Sequence, residues 1–150
     1  MLNAGYIIRK MTPQDLDTVM IIEYEAFAMP WSRESYLGEL KNSFAHYIVA
    51  DCAGKVAGYL GLWVVFDEAH ITNVAVADDY RRQGLGKALM LEAEKYARSK
   101  KSSRIMLEVR PSNTAALDMY KNLNYLPGGE RKNYYSNDGE DAIIMIKLLF

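Results

Sequence analysis

Between residues 69 and 109 a β-like run is followed by apolar side chains that recur every 3.6 residues and then by ones that recur at every second. Ala69 to Ala77 is a β-like run. Leu85, Ala88, Leu89, Ala93, Tyr96 and Ala97 then follow the helical period, and Arg104 to Val109 alternates, with Ile105, Leu107 and Val109 on one face and Met106 and Glu108 on the other. Strand, helix, strand in that order calls for a sheet with a helix packed on it. The first junction is Arg81-Arg82-Gln83-Gly84-Leu85-Gly86-Lys87, so two glycines stand where the strand gives way to the helix.

The flanking segments extend the pattern. Tyr6 to Lys10 alternates weakly as a strand, and Thr12-Pro13-Gln14-Asp15 supplies an N-cap, a Pro at the first helical position and an acid at the third, for a helix to about Ala26. Met29-Pro30-Trp31 breaks that helix, and Ser32 caps a second one with Tyr36, Leu37 and Leu40 at helical spacing. His46 to Asp51 and Lys55 to Phe66 read as antiparallel strands joined at Cys52-Ala53-Gly54. A helix from about Asn113 to Leu123 carries Ala116, Met119, Tyr120 and Leu123 on one stripe and ends at Asn124, which tolerates the left-handed conformation. Two last β-like runs, about Leu126 to Lys132 and Asp141 to Leu148, flank a polar tip at Ser136 to Gly139. The order β-α-α-β-β-β-α-β-α-β-β predicts an α/β (mixed α+β) fold, a mixed sheet with helices on both faces, in one domain over residues 1–150.

Composition narrows the function. Lys and Arg number 18 against 19 Asp and Glu, so no overall field favours nucleic acid or an anionic membrane. Met1 to Lys10 lacks an apolar core and a small-residue cleavage site, and no apolar run approaches the ~20 residues of a membrane span, so a cytoplasmic protein is expected. Cys52 is the sole cysteine and His46 and His70 the sole histidines, so no disulfide, CxxC pair or metal site is expected, and both histidines read as structural.

At the glycine junction, unobstructed backbone N–H groups from Gln83 to Lys87 would converge at the positive end of a helix, a geometry suited to a pyrophosphate, with Arg81, Arg82 and Lys87 adding charge. A P-loop would need a glycine where Arg81 stands and a Ser or Thr where Ala88 stands; a dinucleotide fingerprint would need a third glycine at Leu89. What matches is Arg81-x-x-Gly84-x-Gly86, the Q/R-x-x-G-x-G/A signature of GNAT acetyltransferases. A plain strand-to-helix turn is the competing reading.

The likeness continues along the chain. Glu68 to Val76, Leu107 to Asn113, Met119-Tyr120, and Arg131 to Tyr135 with Glu140-Asp141-Ala142 resemble the consecutive signatures of ribosomal-protein-alanine N-acetyltransferases; Ala26-Phe27 and Pro30-Trp31-Ser32 resemble them more loosely. Asn124-Tyr125 stands where relatives commonly have Gly-Phe, and Lys87 where many carry Arg. The resemblance implies the GNAT fold, a central mixed, mostly antiparallel sheet flanked by helices and splayed at the cofactor site. It implies acetyl-CoA as co-substrate, held by the backbone of Val74, Ala75 and Val76, by Arg82, Gln83, Gly84, Leu85, Gly86 and Lys87, and by Asn113. Glu108 aligns with the proton acceptor and Tyr120 with the proton donor, while Arg131, Tyr134 and Tyr135 align with the peptide entrance.

The chemistry is consistent with those roles. An α-amine titrates near ~8 and a free carboxylate near ~4.3, so Glu108 needs a raised pKa or an intervening water; a lysine at ~10.4 would be still harder to deprotonate. Tyr near ~10 is a weaker acid than a thiol near ~8.5, so its return of a proton to the thiolate relies on proximity. The competing readings are a surface ion pair between Glu108 and Arg110, a core aromatic at Tyr120, a simple N-cap at Asn113, strand aromatics at Tyr134 and Tyr135, and solvated charge rather than acceptor attraction at Asp67 and Glu68. Three functions remain in view: acetylation of a protein N-terminus, with the N-terminal alanine of a bacterial ribosomal protein as the acceptor the resemblance implies; acetylation of lysines or a small amine; and non-catalytic acyl-CoA sensing, for which Glu108 and Tyr120 would be superfluous.

Overall fold

A computed structural model describes residues 5–150; the part of the N-terminal reading that concerns Met1 to Ala4 lies outside them. The elements follow the expected order: β1 (Tyr6–Lys10), α1 (Leu16–Ala26), α2 (Arg33–Leu40), β2 (Ala45–Cys52), β3 (Lys55–Val65), β4 (Glu68–Val76), α3 (Leu85–Ser99), β5 (Arg104–Val109), α4 (Thr114–Asn122), β6 (Leu126–Arg131) and β7 (Ala142–Leu148). Short 3-10 turns at Pro13–Asp15 and Asp78–Tyr80 precede α1 and the glycine junction.

Local chemistry explains the boundaries. The Asp15 carboxylate accepts from the Thr12 amide at 2.8 Å and from the Arg9 guanidinium at 2.8 Å, which fixes the entry into α1. Ser32 accepts from the Ser35 amide at 3.1 Å to cap α2. Ala53 and Gly54 both have positive φ, 52° and 91°, the pattern of a tight hairpin turn between β2 and β3. Asn124 closes α4 at φ 73°.

The strands form one seven-stranded sheet in the order β1-β2-β3-β4-β5-β7-β6, antiparallel throughout except between β4 and β5. One core, built on Leu60, Leu62, Ile105, Leu107 and Met145, receives Leu85, Leu89 and Met90 of α3 and Tyr120 of α4. The other, with Tyr47, Val49 and Tyr59, receives Leu16, Val19 and Ile22 of α1 and Tyr36 of α2. The sheet is thus covered on both faces.

Two irregularities shape the centre. β4 and β5 pair only from Glu68–Arg104 to His70–Met106, and beyond that point the strands separate. Opposite, the register between β3 and β4 steps from Leu62–Ile71 to Gly61–Asn73, leaving Thr72 as the extra residue of a bulge.

Candidate active site

The separation of β4 from β5 opens a cleft of about 480 Å³, floored by residues 71–74 of β4 and 107–109 of β5 with Arg110 just beyond, and walled by residues 26–29, Trp31, Tyr134 and Tyr135. Ser136 Oγ meets Met29 Sδ at 3.3 Å, bridging the two walls. Because β4 is unpaired toward β5 here, part of its backbone lacks a strand partner, as an oxyanion or amide site requires. The Val76 carbonyl is an exception, since it accepts from Arg81 Nε at 3.2 Å.

At the end of β4 the chain turns into α3 through Gly84, which caps the helix in the left-handed conformation at φ 84°. Arg82, two residues earlier, is also left-handed at φ 61°. Alternation of this kind turns successive amides inward as an anion cradle. The Arg81 guanidinium is engaged locally, with Asp78 at 3.3 Å and the Val76 carbonyl at 3.2 Å.

Glu108 and Tyr120 line the same cleft. Glu108 does not pair with Arg110: its carboxylate contacts His70 Nε2 at 2.6 Å and Arg131 Nε at 3.1 Å, with the side chain 7% exposed. Burial pushes the Glu108 carboxyl up, but His70 and then Arg131 outweigh it and hold it below its ordinary value. Of the two routes open to Glu108, a raised pKa or an intervening water, the lowered carboxyl favours the water. Arg110 instead binds Asp138 at 2.9 Å and Glu140 at 3.1 Å and stacks 3.9 Å over the Tyr135 ring, tying the loop after β6 to the end of β5.

Tyr120 belongs to the core and to the cleft at once: it is 5% exposed, its ring lies 6.1 Å from that of Tyr125, and burial pushes its hydroxyl up to about 12. Asn113 likewise holds both positions, lining the cleft while its side chain accepts from the Ala116 amide at 3.2 Å as the cap of α4. Tyr134 and Tyr135 stand not on a strand but in the loop after β6, edge to face at 5.0 Å. Glu68 sits at the opposite end of β4, paired with Arg104, so the solvated-charge reading prevails for it.

His70, which reads as structural in the sequence alone, stands against Glu108. Its signal was the alternation of Glu68, His70 and Thr72 on a strand parallel to β5, which puts it on the Glu108 face; the register was needed to see it. His46 lies elsewhere, stacked on Tyr96 at 3.6 Å. Among the described residues no three His, Cys, Asp or Glu side chains cluster as metal ligands, and no helix is long and apolar enough to cross a membrane.

Comparison with known proteins agrees with this geometry. Residues 16–125 match the model of the acetyltransferase (GNAT) family. A Bacillus subtilis protein described as a putative [ribosomal protein bS18]-alanine N-acetyltransferase is 45% identical over 139 residues, 92% of each chain. The Escherichia coli [ribosomal protein bS18]-alanine N-acetyltransferase is 37% identical over 140 residues, 92% of this chain and 94% of that one. The crystal structure of the Escherichia coli ribosomal-protein-S18-alanine N-acetyltransferase superposes with a TM-score of 0.88 at 34% identity, covering 96% of this chain and 94% of the other. With a family model spanning most of its length and relatives aligned nearly end to end, this chain belongs to the GNAT family and is an acetyl-CoA-dependent N-acetyltransferase.

Proposed function

We propose that the chain transfers the acetyl group of acetyl-CoA to the N-terminal α-amine of a protein, and that the acceptor is a ribosomal protein beginning with alanine, in the cytoplasm. The observation that carries this reading is the common cleft of Glu108 and Tyr120 at the point where β4 leaves β5. The names of the aligned relatives support the acceptor class.

In this reading the amides of Gln83 to Lys87 hold the pyrophosphate, with Arg82 and Lys87 adding charge, and Asn113 lies along the cofactor. The backbone of Val74 to Val76 binds the pantetheine and polarises the thioester carbonyl. The acceptor amine reaches the carbonyl between Phe27–Trp31 and Tyr134–Tyr135. As its nitrogen forms the new C–N bond and the C–S bond breaks, Glu108 takes the amine's proton and Tyr120 gives one to the departing thiolate, leaving an amide and free CoA. A carboxylate held low is a weak base for an amine near ~8, so Glu108 works through a water and on an amine that is already partly neutral. That need favours α-amines over lysines.

The test is direct: the protein is incubated with acetyl-CoA and two peptides, one with a free N-terminal alanine and blocked lysines, the other the reverse. Acetylation of the first alone is expected. Modification of the lysine peptide alone would replace this reading with lysine acetylation, and modification of neither would leave a small amine as the acceptor.

A further inference from the structure

A chain of hydrogen bonds, part-buried at β4 and buried at Glu23, runs along the cleft from Tyr47 to Glu23 with its donors in one direction. Tyr47 Oη and Thr72 Oγ1 are 2.9 Å apart; because the Thr72 hydroxyl proton goes to Asn73 Oδ1 at 3.1 Å, Tyr47 is the donor of that pair. Asn73 Nδ2 donates to Tyr36 Oη at 2.5 Å, and Tyr36 donates to Glu23 Oε1 at 2.5 Å. Tyr59 donates to the same carboxylate oxygen, and the backbone amide of Trp31 donates to Oε2 at 2.8 Å. Glu23 is 1% exposed, so three donors converge on a carboxylate withdrawn from water, which costs free energy unless all are kept. Burial raises all three tyrosines, Tyr36 most, so their hydroxyls stay protonated donors.

The two ends of this chain lie on opposite sides of the cleft. Thr72 and Asn73 form the β4 bulge, just past the last β4–β5 pair, where the floor opens. Trp31 closes the α1–α2 turn, the wall made by Phe27 to Trp31. Gly61 leaves room for the arrangement: a β-carbon there would stand 2.5 Å from both Asn73 Oδ1 and the Tyr47 ring. Because each link has one polarity and ends on the Glu23 carboxyl group, a shift of Asn73 changes the bond Tyr36 makes, and through Glu23 the position of the Trp31 amide.

We propose that the Thr72-Asn73-Tyr36-Glu23 chain is a positioning device that couples acetyl-CoA binding on β4 to the acceptor-facing turn Phe27–Trp31. The identity of that turn as an acceptor wall rests on the function proposed above, but the coupling itself does not. Linkage makes it reciprocal: cofactor that settles β4 also settles the turn, and an acceptor that settles the turn strengthens cofactor binding.

Hydrogen–deuterium exchange of the intact protein, with and without saturating acetyl-CoA, tests this without an acceptor. Wild type is expected to slow exchange in the 26–31 segment by roughly tenfold on binding cofactor. In Tyr36→Phe, which keeps the ring but removes the hydroxyl, and in Asn73→Ala, at a half-buried site, that protection is expected to vanish while acetyl-CoA affinity by calorimetry stays within about twofold. Protection that persists in both folded variants, absence of protection in wild type, or outright loss of cofactor binding in both would overturn the proposal. Failure of the two-peptide assay would remove the acceptor wall and leave this result standing.

Discussion

At the residue scale the chemistry turns on Glu108 and its unexpected neighbour. His70 and Arg131 hold the Glu108 carboxyl below its ordinary value, so it is ionised across the neutral range and does not itself shape activity there; the acid limb of kcat/KM instead follows deprotonation of the acceptor amine near ~8 and rises with pH. Glu108→Gln is expected to lower kcat by ~100-fold or more, most severely at low pH where the amine is protonated, with partial recovery as pH rises. Tyr120→Phe is expected to lower kcat comparably but without that recovery, because proton return to the thiolate does not ease when the amine is neutral. Steady-state rates of both variants within about twofold of wild type would reduce the pair to an ion-paired carboxylate and a core aromatic. His70→Ala removes one hydrogen bond to a charged group, worth roughly 1.5–3 kcal/mol, and is expected to cost about tenfold or more in kcat with acetyl-CoA affinity preserved. An unchanged kcat in that variant would return His70 to a structural role.

At the element scale, caps and turns set the site, and each can be loosened separately. Asp15 joins Arg9 to the start of α1, and the Arg9 hydrogen bonds outweigh desolvation to lower its carboxyl. A depressed folded-state pKa means the stabilisation is present above the unfolded value near ~3.9 and is lost as pH falls through the folded value. Asp15→Asn should therefore lower stability by about 1–3 kcal/mol at pH 7, and chemical unfolding should show the gap to wild type closing as pH drops below ~4. A gap that does not vary with pH would show that the charge of Asp15 is immaterial. The element order, the caps at Thr12 and Ser32 and the turn at Asn124 were legible because they depend on residues within a few positions of each other. Glu108 was placed on the right face for the same reason, since alternation is local. The competing Glu108–Arg110 ion pair does not form because Arg110 lies beyond the end of β5, where alternation no longer holds. His70 was missed because its partner is 38 residues away through a parallel pairing. For Glu68 solvated charge is the default reading, and β4 agrees with it, since its nine residues, about 25 Å, put Glu68 at the far end.

For the whole molecule, cofactor binding and folding are one linked equilibrium, because the splayed strands and the Gly84 turn exist only in the folded chain. A ligand that binds only the native state stabilises it by about 2.7 kcal/mol at a hundredfold excess over Kd. For a chain of 150 residues each kcal/mol raises Tm by roughly 2–4 °C, so saturating acetyl-CoA should raise Tm by roughly 5–10 °C. If the pyrophosphate at Gln83 to Lys87 carries most of the contact, CoA without the acetyl group should raise Tm almost as far. Gly84→Val separates the contributions: the left-handed backbone at φ 84° costs a β-carbon roughly 1–2 kcal/mol, yet nothing lies within 4 Å of that carbon, so the variant should fold with a modestly lower Tm. Gly86→Val differs, because its β-carbon would meet Met119 Sδ at 3.2 Å and press α3 against α4. Differential scanning calorimetry should then find that Gly84→Val has lost most of its response to acetyl-CoA while Gly86→Val has lost both response and more of its intrinsic stability. A Gly84→Val protein that still gains the wild-type increment would mean that the cofactor is held elsewhere than at the start of α3.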